Sequence, residues 1–66
     1  MSIPCEPMVD TIRRAMIDVE KDGHKCLQMG LDSFPEAQLQ IALNYLVNQG
    51  EVKAVEKYAE DICIFW

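Results

Sequence analysis

"DSFPEAQLQIALNYLVNQGEV", residues 32–52, has the pattern of one amphipathic helix with a start signal and a stop signal. Asp32 or Ser33 can cap its first turn, which Pro35 also suits. Ser33 and Glu36 have the spacing of a capping box. The apolar residues recur at spacings of three and four and define a core face, namely Leu39, Ala42, Leu43 and Leu46, widened by Val47. The stretch therefore predicts a helix from about Ser33 to Gln49.

The end of this helix and its outer face are equally distinctive. Gly50 can close the helix in the left-handed conformation that glycine tolerates. Between Asp32 and Gly50 there is no Lys and no Arg. Since each helical residue turns by about 100°, the face opposite the core is expected to hold Ala37, Gln40, Ile41, Asn44, Tyr45 and Asn48, with Gln38 on its flank.

A second amphipathic pattern lies upstream, in residues 7–21, "PMVDTIRRAMIDVEK". Pro7 suits a first helical turn and Gly23 a stop. One apolar stripe runs along this helix and comprises Met8, Val9, Ile12, Ala15, Met16 and Val19. Arg13 and Arg14 fall outside the stripe, so we expect both on a solvated face.

The segment between the two helices is short and ambiguous. In residues 24–31, "HKCLQMGL", Leu27, Met29 and Leu31 alternate, but Cys26, Leu27 and Gly30 also fit one helical turn. We interpret the segment as a brief helix that ends near Gly30.

The C-terminal tail, "EVKAVEKYAEDICIFW", predicts a β-hairpin. Val52 and Val55 are β-branched, and "ICIFW" is β-branched and aromatic almost throughout. We expect two strands joined by a loop near residues 56–61. The alternative is a helix over residues 53–61, because "AVEKYAED" has high helix propensity and contains no Gly or Pro.

Size and charge restrict the classes of function. The 66 residues are 50% hydrophobic, so we expect one globular domain, residues 1–66. The net charge of −5 disfavours a nucleic-acid binder and favours a protein partner. No apolar run is long enough to span a bilayer, and "MSIPCEP" lacks the features of a signal peptide. We therefore predict a cytoplasmic protein with no membrane association.

No residue pattern predicts a metal site, a cofactor or an enzyme. Cys5, Cys26, Cys63 and His24 contain no C-x-x-C spacing, and in a reducing compartment free thiols are expected. We expect Cys26 and Cys63 to be small core residues and His24 a polar loop residue. There is no phosphate-binding glycine loop and no catalytic constellation, so we predict no cofactor and no enzymatic activity.

Helix, short helix, helix and hairpin is an order that resembles the winged helix-turn-helix superfamily. The stretch "GLDSFPEAQLQIALNYLVNQGEV" carries the resemblance. Gly30 and Leu31 look like the turn, residues 33–49 like the recognition helix, and "LVNQGEV" like its close before the first wing strand. The resemblance implies an α+β fold of three helices followed by a C-terminal β-hairpin. It also implies a small DNA-binding transcriptional regulator.

In that interpretation the outer face of the long helix would read bases, because Asn and Gln match adenine edges and Ala or Ile can touch a thymine methyl. Phosphate contacts would come from the five cations Arg13, Arg14, Lys25, Lys53 and Lys57. One such module buries little DNA surface, so a homodimer is expected. The apolar tail, Ile62–Trp66, is the predicted dimer contact.

The alternative function uses the same face. Ile41 and Tyr45 among uncharged amides resemble the centre of a protein interface, where charges are depleted. The chain would then be an acidic protein–protein interaction module that regulates a host or transcription protein by direct binding. In a third interpretation Ile41 and Tyr45 pack inside the domain, and for Tyr45 we favour packing.

Overall fold

The computed structural model describes residues 3–66 and contains two α-helices, one short 3-10 helix and a three-stranded antiparallel sheet. The elements in chain order are α1 (Glu6–Lys21), β1 (Cys26–Gly30), the 3-10 helix (Leu31–Ser33), α2 (Glu36–Asn48), β2 (Ala54–Lys57) and β3 (Asp61–Phe65). The predicted α+β class is confirmed. The predicted three-helix arrangement, and with it the winged-helix-like fold, is wrong.

The error lies in residues 24–31, where the structure has a strand instead of a short helix. β1 pairs with β3, with Leu27 opposite Ile64 and Met29 opposite Ile62. The alternation of Leu27 and Met29 was therefore the relevant pattern, since it directs both side chains to the helix-covered face of the sheet. Only the three residues Leu31–Ser33 turn helically.

Helix α1 forms where the apolar stripe predicted it. Four stripe residues, Met8, Val9, Ile12 and Met16, are buried, whereas Ala15 and Val19 are half-buried. Gly23 follows the helix with a φ of +85°, as the stop signal predicted.

Helix α2 begins later than the capping signals predicted. Pro35 disfavours a helical conformation for the residue before it, and Phe34 is extended, with a φ of −137°. Pro35 itself is the cap, without a side-chain capping bond, so the Ser33–Glu36 capping box is wrong. At the other end Gly50 has a φ of +79°, which confirms it as the helix stop.

The core face of α2 is confirmed, because Leu39, Ala42, Leu43 and Leu46 are all buried. Val47 does not widen it and is 41% exposed. These residues join buried side chains of α1 and the sheet in one core, completed by Met29, Val52, Ile62 and Ile64.

The C-terminal hairpin is present, and the alternative helix over residues 53–61 does not form. β2 and β3 are antiparallel, with Val55 opposite Ile64 and Lys57 opposite Ile62. The strand order is β1-β3-β2, so β3 is central. The helices cover the face that holds Ile62 and Ile64, and the opposite face is open.

This open face corrects the interpretation of the cysteines. Cys26 pairs with Phe65 on the open side and is exposed, so it is not a core residue. Cys63 is half-buried on the same face, and His24 is an exposed loop residue as expected. Neither α-helix within residues 3–66 is long and apolar enough to cross a membrane.

Candidate functional site

The outer face of α2 is an uncharged surface of amides and aliphatic side chains. Its exposed residues are Ala37, Gln38, Gln40, Ile41, Asn44, Val47 and Asn48. Ile41 is 46% exposed and Val47 41%, so two aliphatic side chains of this helix face solvent. After Glu36 the helix carries no charged residue. The surface can therefore make apolar contacts and directed hydrogen bonds, but it supplies no net charge.

Tyr45 differs from the other residues predicted for this face. It is half-buried and packs against the core. The Tyr45 hydroxyl also contributes, less than Glu51 does, to the raised pKa of Arg13 on α1. Tyr45 therefore belongs to the packing between the helices.

Two of the five predicted phosphate-contacting cations are held by carboxylates. Arg13 Nε donates to Glu51 Oε1 at 3.0 Å, and a second guanidinium nitrogen donates to Oε2 at 2.6 Å. This two-point contact raises the pKa of the Arg13 guanidinium above its ordinary value. Lys57 forms an ion pair with Glu36 at the start of α2.

The other three cations, Arg14, Lys25 and Lys53, are exposed, and among residues 3–66 they make no ion pair. Arg14 lies on α1. Lys25 and Lys53 flank the end of β3, where the Lys25 carbonyl accepts from Trp66 N and Lys53 N donates to the Phe65 carbonyl. Lys57 is at the opposite end of the sheet. The five cations are thus distributed over α1 and both ends of the sheet.

A groove of about 210 Å³ separates α2 from the hairpin, and sequence reasoning did not find it. Its apolar lining consists of Leu31, Leu39, Leu43, Val55 and Ile62. Gln40 and Asn44 line its α2 side, and the Glu36–Lys57 ion pair also borders it. Val55 is 36% exposed, because β2 is an edge strand and α2 does not fully cover it. The one available sequence signal was Val55, a β-branched residue in a strand whose other members are an alanine and two charged residues.

A second cavity, of about 290 Å³, lies between α1 and the C-terminal residue. Its polar side chains are already paired with one another, because Arg13 binds Glu51 and Trp66 Nε1 donates to Glu20 Oε1 at 3.0 Å. This cavity therefore offers fewer unsatisfied groups to a ligand than the groove does.

The position of the C-terminal strand restricts the predicted dimer contact. β3 is flanked by β1 on one side and β2 on the other, and Ile62 and Ile64 are buried. Only its remaining side chains, on the open face and at the terminus, are accessible to another copy. The homodimer stays a prediction.

Residues 3–66 contain no group of three His, Cys, Asp or Glu side chains that could hold a metal ion. The three cysteines are free thiols. The surface of α2 and the groove beside it are thus the best-defined candidate site.

The likeness to winged helix-turn-helix proteins rests on the sequence pattern alone. Comparisons with protein-family models, with curated proteins and with solved structures found no match to the chain.

Proposed function

We propose that this protein is a regulator that works by binding another protein, with the outer face of α2 and the adjoining groove as its contact surface. The observation that carries the proposal is an exposed, uncharged helix face on an acidic chain. Ile41 lies one turn from Asn44, which lines the groove, so the helix face and the groove are continuous. Interface centres are depleted in charge and combine apolar contacts with a few hydrogen bonds.

The distribution of charge supports a protein partner over a phosphate backbone. Arg13 and Lys57 are paired with carboxylates. In the hairpin, Glu60 lies in the turn beside the groove, whereas Glu56 and Asp61 lie on the open face of the sheet. A phosphate backbone approaching α2 would therefore meet Glu60 on a chain whose net charge is −5, and phosphate contacts dominate the affinity of DNA-binding proteins.

The test compares two exposed isoleucines on two helices. Ile41 on α2 and Ile17 on α1 are 46% and 55% exposed, so Ile41→Asp and Ile17→Asp should both leave the core intact. We expect proteins captured by the wild type from a lysate of the source organism to be retained by Ile17→Asp and lost by Ile41→Asp. Circular dichroism checks that both variants fold. Equal capture by both variants would contradict the proposal.

A second candidate, a DNA-binding regulator, is supported by one specific feature. Gln40, Asn44 and Asn48 are exposed at intervals of four on α2, so their amides form one row along the helix. Such a row could contact base edges in the major groove of DNA. Arg14, Lys25 and Lys53 would then provide the phosphate contacts. Selection from random duplexes at low salt tests this function directly. If the protein retains duplexes of one sequence and Asn44→Ala abolishes this selectivity, the result favours a DNA-binding function. If micromolar protein retains no duplex, the result counts against that function.

A further inference from the structure

The free edge of the sheet next to the groove belongs to β2. Tyr58 N donates to the Asp61 carbonyl at 2.8 Å, which makes this a hydrogen-bonded pair. Because such pairs alternate along antiparallel strands, Ala54 and Glu56 bond to β3. The main-chain N–H and C=O groups of Val55 and Lys57 therefore point away from the sheet. All four residues of β2 are exposed.

The same two residues line the groove with their side chains. Val55 and Lys57 are opposite Ile64 and Ile62, so they lie on the helix side of the sheet. The edge of β1 differs, because the same alternation turns outward the main chain of Cys26 and Gln28, whose side chains lie on the open face. Only β2 combines free main-chain groups with an apolar groove.

The size of the groove suits a side chain better than a small molecule. Its volume of about 210 Å³ is below the roughly 300–1,000 Å³ typical of ligand pockets. A strand added along β2 would place alternate side chains on the helix side, where one of them can enter the groove.

Charge at the hairpin end of the groove specifies the occupant further. Leu31 N donates to the Glu60 carbonyl at 2.9 Å, so the 3-10 helix lies against the hairpin turn. This end brings together three carboxylates, Asp32, Glu36 and Glu60, and one cation, Lys57, which is already paired with Glu36. The Asp61 carboxylate lies on the open face of the sheet, where it accepts from Gln28. A second copy of this chain, with a net charge of −5, would add like charge here.

We propose that β2 and the groove bind an extended segment of the partner protein as a fourth strand, with a large apolar side chain in the groove and a Lys or Arg two residues away, facing the hairpin-end carboxylates. The inference rests on the proposed protein-binding function and names the chemistry of the partner. Main-chain pairing supplies a general attraction, and the groove and the carboxylates supply the selectivity.

The experiment uses labelled peptides of about eight residues, a normal strand length. In the probe peptide, Thr occupies the alternate positions that would face away from α2. Of the positions that would face α2, one carries Leu and the next, two residues further on, carries Lys. One matched peptide carries Glu in place of Lys. A second carries N-methyl groups on the main-chain nitrogens whose N–H groups would otherwise bond to β2. Fluorescence anisotropy measures affinity, and amide chemical shifts of the full chain locate the contact.

We expect the Lys peptide to bind at least about tenfold more tightly than either matched peptide, a difference of about 1.4 kcal/mol. Amide shifts should concentrate at residues 54–57 and along the groove side of α2. Val55→Pro removes an outward N–H without removing a bond to β3, and edge strands tolerate such prolines. It should weaken binding of the Lys peptide by a similar factor.

Three results would overturn the inference: equal affinity for the Lys and Glu peptides, shifts that lie outside the groove, or no binding of any peptide at millimolar concentration. If the wild-type protein is a dimer and Val55→Pro is a monomer, the edge of β2 serves self-association instead. If Val55→Pro does not fold, the N-methylated peptide still decides the point. If the peptides fail while partner capture remains sensitive to Ile41→Asp, the protein-binding function stands and only the strand addition is lost.

Discussion

Tyr58, at the start of the hairpin loop, is held by a single side-chain contact. Its hydroxyl donates to Glu56 Oε2 at 2.6 Å, and this bond, with the charge of Glu56, raises the pKa of Tyr58 above its ordinary value. Ionisation removes the bond and leaves two negative groups side by side. The small stabilisation from this contact is thus complete below the unfolded tyrosine pKa and is lost as pH rises through the raised pKa.

We expect Glu56→Ala to move the titration of Tyr58 to lower pH. Ultraviolet absorbance during alkaline titration measures phenolate formation, and Tyr58→Phe separates the signal of Tyr58 from that of Tyr45. An unchanged titration in Glu56→Ala would show that Glu56 does not determine the Tyr58 pKa.

Leu43 and Asn44 are neighbours in sequence on opposite sides of the boundary between core and surface. Leu43 is 3% exposed, so Leu43→Ala should leave a cavity and lower the free energy of unfolding by roughly 2–5 kcal/mol. Asn44 is exposed, so Asn44→Ala should change it by less than about 0.5 kcal/mol. Urea denaturation measures both. A loss in Asn44→Ala as large as that in Leu43→Ala would mean that the outer face of α2 is packed.

At the scale of elements, β1 is the segment for which a strand or a helix would give a different fold. Substitutions at two of its residues distinguish the strand from the helix. Met29 is 6% exposed and faces the core, whereas Gln28 is exposed and bonds Asp61. We expect Met29→Ala to cost roughly 2–5 kcal/mol of unfolding free energy. Gln28→Ala should cost less than about 1 kcal/mol, because its hydrogen bond is solvent-exposed.

Chemical denaturation of both variants gives the comparison. In the helical alternative, Met29 lies off the face formed by Cys26, Leu27 and Gly30. If Met29→Ala has a small effect on the free energy of unfolding and Cys26→Ala a large one, the result would support a helix in this segment and contradict the strand β1.

At the scale of the whole molecule, one core joins α1, α2, β1 and β3, whereas no residue of β2 is buried. Buried residues of α1, α2 and the sheet contact one another, and Trp66 is bonded to Glu20 of α1. We expect cooperative two-state unfolding with a free energy of roughly 3–10 kcal/mol, from about 0.05–0.15 kcal/mol per residue.

Trp66 is the only tryptophan, so its fluorescence reports on the C-terminus while far-ultraviolet circular dichroism reports on the helices. The two denaturation transitions should coincide. An earlier fluorescence transition would show that the end of β3 opens independently of the helical core.

The sequence by itself determined the parts of this fold that depend on local patterns. The stripes of α1 and α2 span several helical turns, and Gly23 and Gly50 end them where a positive φ is required. The exposed face of α2 followed from the same periodicity, except that Tyr45 is half-buried and Val47 is exposed. The hairpin followed from β-branched and aromatic residues in the tail.

Tertiary structure decided what short segments and separate charges could not. Residues 24–31 fit a strand and a helical turn equally well, and pairing with β3, more than thirty residues away, selected the strand. The groove is lined by residues of the 3-10 helix, α2 and the hairpin, so it forms only when these segments pack together. Arg13 and Lys57 are paired with carboxylates because Glu51 and Glu36 meet them only after the chain folds. Periodicity is a local property of the chain, whereas strand pairing, grooves and ion pairs depend on contacts between distant residues.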